Sequence, residues 1–192
     1  MYHPRSSFAA VAVAALCIGS AVPAQAASVL CTLTMGLAGC EEYKPSGQPS
    51  FYQSMAVKDA KVDAKAAASM ISGYRRNNGL SVVTLDDTLM RMAEQQALAM
   101  ASKNRFEHDA AGPFAQRIKR SGYDAKVAVE NIGAGYHTLA EAFSGWRDSP
   151  PHRANMLHRG VTKMGIAAAY APGTKYKVFW SLILAAPDDH RG

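Results

Sequence analysis

The stretch Trp146–Leu157 reads Trp-Arg-Asp-Ser-Pro-Pro-His-Arg-Ala-Asn-Met-Leu. It combines a helix-starting serine and proline, Ser149 and Pro150, with the imidazole of His152 in the first helical turn. Apolar residues on either side would anchor this short helix to a core. The segment therefore predicts a fixed position for one side chain that can bind metal or move a proton.

Two segments upstream of Trp146 each carry one further side chain that can bind metal or transfer a proton. Val129–Ile132 reads as an apolar strand that contains Glu130, and Phe106–His108 ends in a second imidazole, that of His108. A carboxylate in an apolar strand needs a partner to offset its lost hydration, and Glu130 could accept hydrogen bonds or orient an imidazole. The three side chains suit a divalent-metal site with an open position or a proton-transfer set, and spacing alone does not choose between them.

The rest of the chain predicts helices first and strands afterwards, which indicates an α+β domain built in layers. Helices are predicted from apolar residues that recur every three to four positions, and strands from short apolar runs rich in β-branched and aromatic residues. The predicted elements are helices over 60–77, 86–103, 113–120 and 138–146, a strand over 127–132, and a final β-hairpin over 164–170 and 176–186.

The first forty residues read as an export signal. No charged residue lies between Arg5 and Glu41, and the apolar run Phe8–Ile18 follows a short positive segment. Two processing signals compete. Ala24–Ala26 is a small-x-small cleavage site, whereas Leu37–Cys40 resembles the bacterial lipobox, in which Cys40 would become the lipidated first residue.

The predicted domain organisation follows from this leader. Residues 1–40 form the signal segment, with the lipobox at 37–40, and residues 41–59 form a polar, flexible tether. Residues 60–187 form the folded domain, and 188–192 are a tail. All three cysteines (Cys17, Cys31 and Cys40) lie in the leader, so the folded domain must be held together by its core without disulfides.

The formal net charge of +6 comes from lysines and arginines that are scattered along the chain. Such a distribution is typical of a solvated basic surface, and attraction to anionic lipid headgroups or an acidic wall polymer is the alternative. Nucleic acid is not an expected partner, because no basic motif interleaved with aromatic residues is present.

In their order and spacing, these motifs resemble the CAP superfamily of cysteine-rich secretory proteins, antigen 5 and plant pathogenesis-related 1 proteins, also called the SCP domain. The resemblance runs from about Ala66 to Ala186. It rests on Tyr74–Leu80 (the family's "YR…NGL" start), Phe106–His108 (its first histidine), Glu130–Ile132 (its "EN(I/L)" motif) and Ser149–Leu157 (the bacterial "SPGHRANIL" variant).

The resemblance implies a three-layer α-β-α sandwich with a central cleft lined by His108, Glu130 and His152. In some family members the two histidines bind a divalent cation, for which zinc is expected. Two departures are visible. The disulfides of animal and plant members are missing, and many eukaryotic relatives carry a second acidic residue where Asp148 is the only nearby acid.

The resemblance also implies a function. We expect an exported protein of the periplasm or cell surface, membrane-anchored as a lipoprotein or fully secreted. Its cleft would bind a lipidic, small-molecule or cell-envelope ligand. No obvious nucleophile is present, which favours a non-enzymatic role without excluding an enzyme.

Two other functions remain open. In a metal-assisted hydrolase of peptide or ester bonds, Glu130 would act as metal ligand or as general base on a bound water. The His-Glu-x-x-His motif of common metalloproteases is absent from the sequence. In a structural envelope protein the cleft would be a relic.

Overall fold

The computed structural model describes residues 47–188. The predicted signal segment, the competing cleavage and lipidation sites and Cys40 lie outside the described residues. In chain order the elements are a 3₁₀ turn at Ser50–Tyr52, α1 (Ala64–Asn77), β1 (Thr84–Leu85), α2 (Asp87–Lys103), α3 (Phe114–Arg120), β2 (Ala125–Ala134), α4 (Leu139–Asp148), α5 (Pro150–Met156), β3 (Lys163–Ala171) and β4 (Lys177–Pro187).

The four strands form one sheet in the order β1-β3-β4-β2. The long pairings, β3 with β4 and β4 with β2, are antiparallel, whereas the short strand β1 pairs in parallel with the start of β3. β4 is therefore central, and β2 lies at one edge of the sheet. The near-continuous apolar sequence of β4 fits this position, because a strand covered on both faces has no solvent side.

Alternate residues of β4 pack into two separate apolar layers. Trp180, Leu182 and Leu184 belong to the core that also contains buried residues of α1, α4 and α5. Phe179 and Ile183 point to the opposite face, where they pack with buried residues of α2. The sheet is thus covered by helices on both faces, which confirms the predicted α+β class and its three-layer α-β-α arrangement.

The starts of two helices, α2 and α4, agree with the prediction from the sequence. Asp86 caps α2 by accepting from the backbone N–H groups of Thr88 and Leu89. The capping box of α4 is present with both of its hydrogen bonds, between Thr138 and Glu141.

Two helix starts differ from the prediction. α1 begins at Ala64 and not at Ala60, because the side chain of Asp63 accepts from the N–H of Ala66 and caps the helix there. Pro113 is the residue before α3 and not its first residue, since its backbone is still extended (ψ 133). Among residues 47–188, no helix has the length and apolar character needed to cross a membrane.

Candidate functional site

Three different elements position the predicted site residues. His108 lies in the loop between α2 and α3, Glu130 lies within β2, and His152 lies in the first turn of α5. We call these three residues the His–Glu cluster. Glu130 and its neighbour Asn131 face opposite layers, because Glu130 pairs with Ile183 and Asn131 with Leu182. Since β2 is an edge strand, groups from both helical layers can meet beside it.

Glu130 is buried and fully engaged. Its side chain is 2% exposed. Arg117 Nη2 donates to both carboxylate oxygens, at 2.8 Å to Oε1 and 2.9 Å to Oε2. His108 Nδ1 lies 2.9 Å from Oε2, and the Ser181 hydroxyl donates to Oε1 at 3.4 Å. Several hydrogen bonds therefore hold this buried ion pair in place. Removing either partner would leave the other charge buried without its counter-ion.

Arg117 also holds the loop that carries His108. Its Nε donates to the carbonyl of Gly112 at 2.9 Å, and its Nη2 donates to the carbonyl of His108 at 3.1 Å. Arg117 is not among the site residues predicted from the sequence. One signal was available, since Phe114, Arg117 and Ile118 share a face of α3 and a charged residue on an apolar face usually has a buried partner.

A side-chain network attaches α5 to the same strand. The amide of Asn131 donates to the carbonyl of His152 at 3.0 Å. The amide of Asn155 donates to the carbonyl of Glu130 at 3.2 Å and to Oδ1 of Asn131 at 2.9 Å. The backbone partner of Asn155 therefore lies in β2. These bonds fix the helix that carries His152 against β2.

The side chains of Ser149 and His152 contact each other at the start of α5. His152 Nδ1 lies 2.9 Å from Ser149 Oγ. Ser149 precedes α5 without making a side-chain cap hydrogen bond. Pro151, the second helical residue, has no N–H for the Ser149 hydroxyl to accept from, and the hydroxyl contacts the imidazole of His152 instead.

The pKa of His152 is lowered, first by burial and then by the charge of His108. The second cause means that a positive charge on His108 disfavours protonation of His152. Because the folded state takes up a proton less readily than the unfolded chain, His152 contributes stability above its ordinary pKa of 6.5. That contribution is lost as the pH falls through 6.5 towards the lower folded value.

The ring nitrogens of His108 and His152 are the donor atoms whose chemistry suits a divalent metal. The Nδ1 atom of His108 faces a carboxylate and that of His152 faces a hydroxyl, which leaves Nε2 of each ring as the remaining ligand atom. The side chain of His108 is 55% exposed, so this nitrogen can be reached from solvent. The carboxylate of Glu130 suits the orienting partner behind a histidine ligand, because both of its oxygens are taken.

A three-ligand site does not follow from the geometry. Within residues 47–188, no group of three or more histidine, cysteine, aspartate or glutamate side chains is arranged to hold a metal ion. Asp148, the last residue of α4, pairs with Arg147 at 2.8 Å and its side chain is 67% exposed. It is not part of the cluster.

This chain matches one protein family and also resembles individual known proteins. The family described as CAP, the cysteine-rich secretory protein family, matches residues 68–184. The Bacillus subtilis (strain 168) protein YkwD is 31% identical over 105 residues, which are 53% of this chain and 40% of that protein. The chain therefore spans less than half the length of this relative.

Two solved structures share the fold. An extracellular SCP-domain protein from Bacillus anthracis str. Ames has a TM-score of 0.55 and 24% identity, covering 63% of this chain and 39% of that one. An outer surface protein from Borrelia burgdorferi has a TM-score of 0.59 and 20% identity, covering 67% of this chain and 98% of that one.

Proposed function

The chain belongs to the CAP family of cysteine-rich secretory proteins, and from this premise we propose that it is an exported, non-enzymatic binding module. The His–Glu cluster would be its ligand-binding centre. Export is supported by relatives whose descriptions name extracellular and outer surface proteins. The ligand would be lipidic, a small molecule or a component of the cell envelope.

The observation that carries this proposal is the state of Glu130. A general base needs a carboxylate oxygen within reach of the water that it activates. Here Arg117 bonds both oxygens and His108 bonds one of them, while the side chain is almost completely buried. Because both oxygens are occupied, Glu130 would orient the ring of His108 and would not activate a water. This supports binding over hydrolysis.

A divalent metal, most simply zinc, is part of the proposal. His108 and His152 would hold it through Nε2, and Glu130 would fix the ring of His108 from behind. Bound there, the ion would supply open coordination positions for an oxygen atom of the ligand. The lowered pKa of His152 favours the neutral imidazole that metal binding requires.

Attachment to a membrane surface through a lipid on Cys40 is a further part of the proposal, with cleavage after Ala26 and full secretion as its alternative. A lipid anchor would hold the domain close to envelope ligands without any membrane-spanning helix.

Calorimetric titration of the full-length mature protein with zinc tests the function. We expect one site, and we expect the double substitution His108→Ala/His152→Ala to weaken zinc binding by about a hundredfold or more, because both protein ligands are lost. Glu130→Gln should weaken it by about tenfold, since it removes the orienting carboxylate only.

The matched control is His137→Ala, which removes an exposed histidine outside the cluster. It should leave zinc binding unchanged. Equal zinc affinity of the wild type and the double variant would overturn the proposed metal site. Cleavage of peptide or ester substrates that requires both histidines would overturn the non-enzymatic part.

A further inference from the structure

A polar cavity lies between α2 and α3, and its lining includes none of the three residues of the His–Glu cluster. Its volume is about 390 Å³. Three guanidinium groups line it, one from α2 and two from α3, and no aspartate or glutamate of residues 47–188 does. The polar residues of its lining are Thr88, Arg91, Gln95, Arg117, Arg120 and Ser121.

Two of these arginines have no carboxylate partner within the described part of the chain. Among the ion pairs of residues 47–188, none includes Arg91 or Arg120. Arg91 Nη2 donates to the hydroxyl of Thr88 at 3.0 Å, and Arg120 Nε donates to the carbonyl of Gln116 at 3.4 Å. Both bonds are to neutral oxygens, so two positive charges share one cavity without compensation by an acid of its lining.

The third arginine supplies an independent observation. Arg117 is 6% exposed, and its Nη1 is buried without a hydrogen-bond partner among the described residues. Its charge is matched by Glu130, but that interaction uses Nη2 alone. Unsatisfied buried donors are costly and rare in folded proteins, so this N–H group marks Arg117 as unusual among the arginines of the cavity.

We propose that this cavity binds a phosphate group. A guanidinium presents paired N–H donors that match the oxygens of phosphate, and the Thr88 hydroxyl, which accepts from Arg91, keeps its own O–H as a further donor. Because Glu130 already neutralises Arg117, the net excess is the two charges of Arg91 and Arg120. That excess matches a phosphate dianion better than a carboxylate, which has a single charge and fewer acceptor oxygens.

The phosphate group could be free or esterified. The cavity is open to solvent, since Arg91 and Arg120 are both exposed residues. A group attached to the phosphate could therefore extend outwards without entering the protein. The proposal is independent of the metal site, because the cavity and the cluster's contacts share only Arg117.

Calorimetric titration of the full-length protein with inorganic phosphate and with glycerol 3-phosphate, at constant ionic strength, tests this site. We expect saturable binding of both or of one, and the tighter of the two identifies the free or the esterified form. Arg91→Gln and Arg120→Gln should each weaken binding by about tenfold, as expected for loss of one charge-assisted contact, and the double variant should show none.

The matched control is Lys119→Gln, which removes one exposed positive charge from α3 beside Arg120 but outside the cavity. It should retain the wild-type affinity. Absence of saturable binding to the wild type would overturn the proposal. An equal loss in Lys119→Gln would overturn it too, because it would show attraction to net charge alone. Circular dichroism of each variant would confirm that the exposed substitutions leave the fold intact.

Discussion

Replacing Arg75 with methionine is expected to lower the free energy of unfolding by about 4 kcal/mol, which would be a large fraction of the stability of a domain of this size. Arg75 is completely buried, and burial lowers its pKa. Within residues 47–188 it has no acidic partner. Its guanidinium instead donates to four backbone carbonyls, those of Ser81, Met156, His158 and Val161.

These four bonds explain the expected size of the effect. They join α1 to the segment before β1, to the end of α5 and to the loop before β3. Methionine fills much of the same volume but donates nothing, so four carbonyls would lose their donor in the interior. Each lost bond costs about 1 kcal/mol or more, and the loop that follows α5 would lose its attachment.

Denaturant unfolding monitored by tryptophan fluorescence checks this prediction. Arg76→Met is the matched control, because Arg76 is the next residue of α1 and is exposed. The control should change the unfolding free energy by less than about 0.5 kcal/mol. Equal stabilities of the two variants would contradict the structural role of Arg75.

The second large effect is expected for Gly165→Ala, which should destabilise the protein by about 3 kcal/mol or prevent folding. Gly165 lies in β3 directly beneath the start of α2. A Cβ at this position would lie 2.1 Å from the backbone carbon of Leu89 and 2.3 Å from the backbone nitrogen of Met90. Backbone cannot swing aside as a side chain can, so the helix would have to move away from the sheet.

Gly173→Ala provides the control for Gly165→Ala. Gly173 lies in the turn between β3 and β4, and a Cβ there meets nothing within 4 Å. Thermal unfolding of both variants separates the clash from the general effect of replacing glycine. A Gly165→Ala protein as stable as Gly173→Ala would contradict the close approach of α2 and β3.

Local rules account for most of what was predictable from the sequence. Asp86 and Thr138 act on backbone N–H groups within three residues, so their capping roles can be read without knowing the fold. The apolar sequence of β4 likewise indicates a buried strand. α1 was placed too early because an apolar spacing continued upstream of Asp63, whose side chain fixes the helix start locally.

These local rules do not predict contacts between distant parts of the chain. Arg75 and Arg117 are placed by partners up to 86 residues away, and no short-range pattern identifies such partners. The Ser149–His152 bond has a local cause, since Pro151 removes one of the N–H groups that a capping serine would bond.

The sequence predicts which residues form the site but not how they are arranged. The roles of Glu130 and Asn131 become clear only from their positions in the sheet. The first side chain contacts Arg117 and the loop of His108, whereas the second attaches α5 across the edge strand. The resemblance to a family supplied the expectation that these segments meet.

The central claim is that the imidazoles of His108 and His152 approach each other beside β2. Nuclear magnetic resonance titration of the ring protons of His152, in the wild type and in His108→Gln, tests it most directly. We predict a His152 midpoint below 6.5 that rises in His108→Gln, because the variant lacks the neighbouring charge, and that stays unchanged in His137→Gln. A His152 midpoint that does not respond to His108→Gln would contradict the claim.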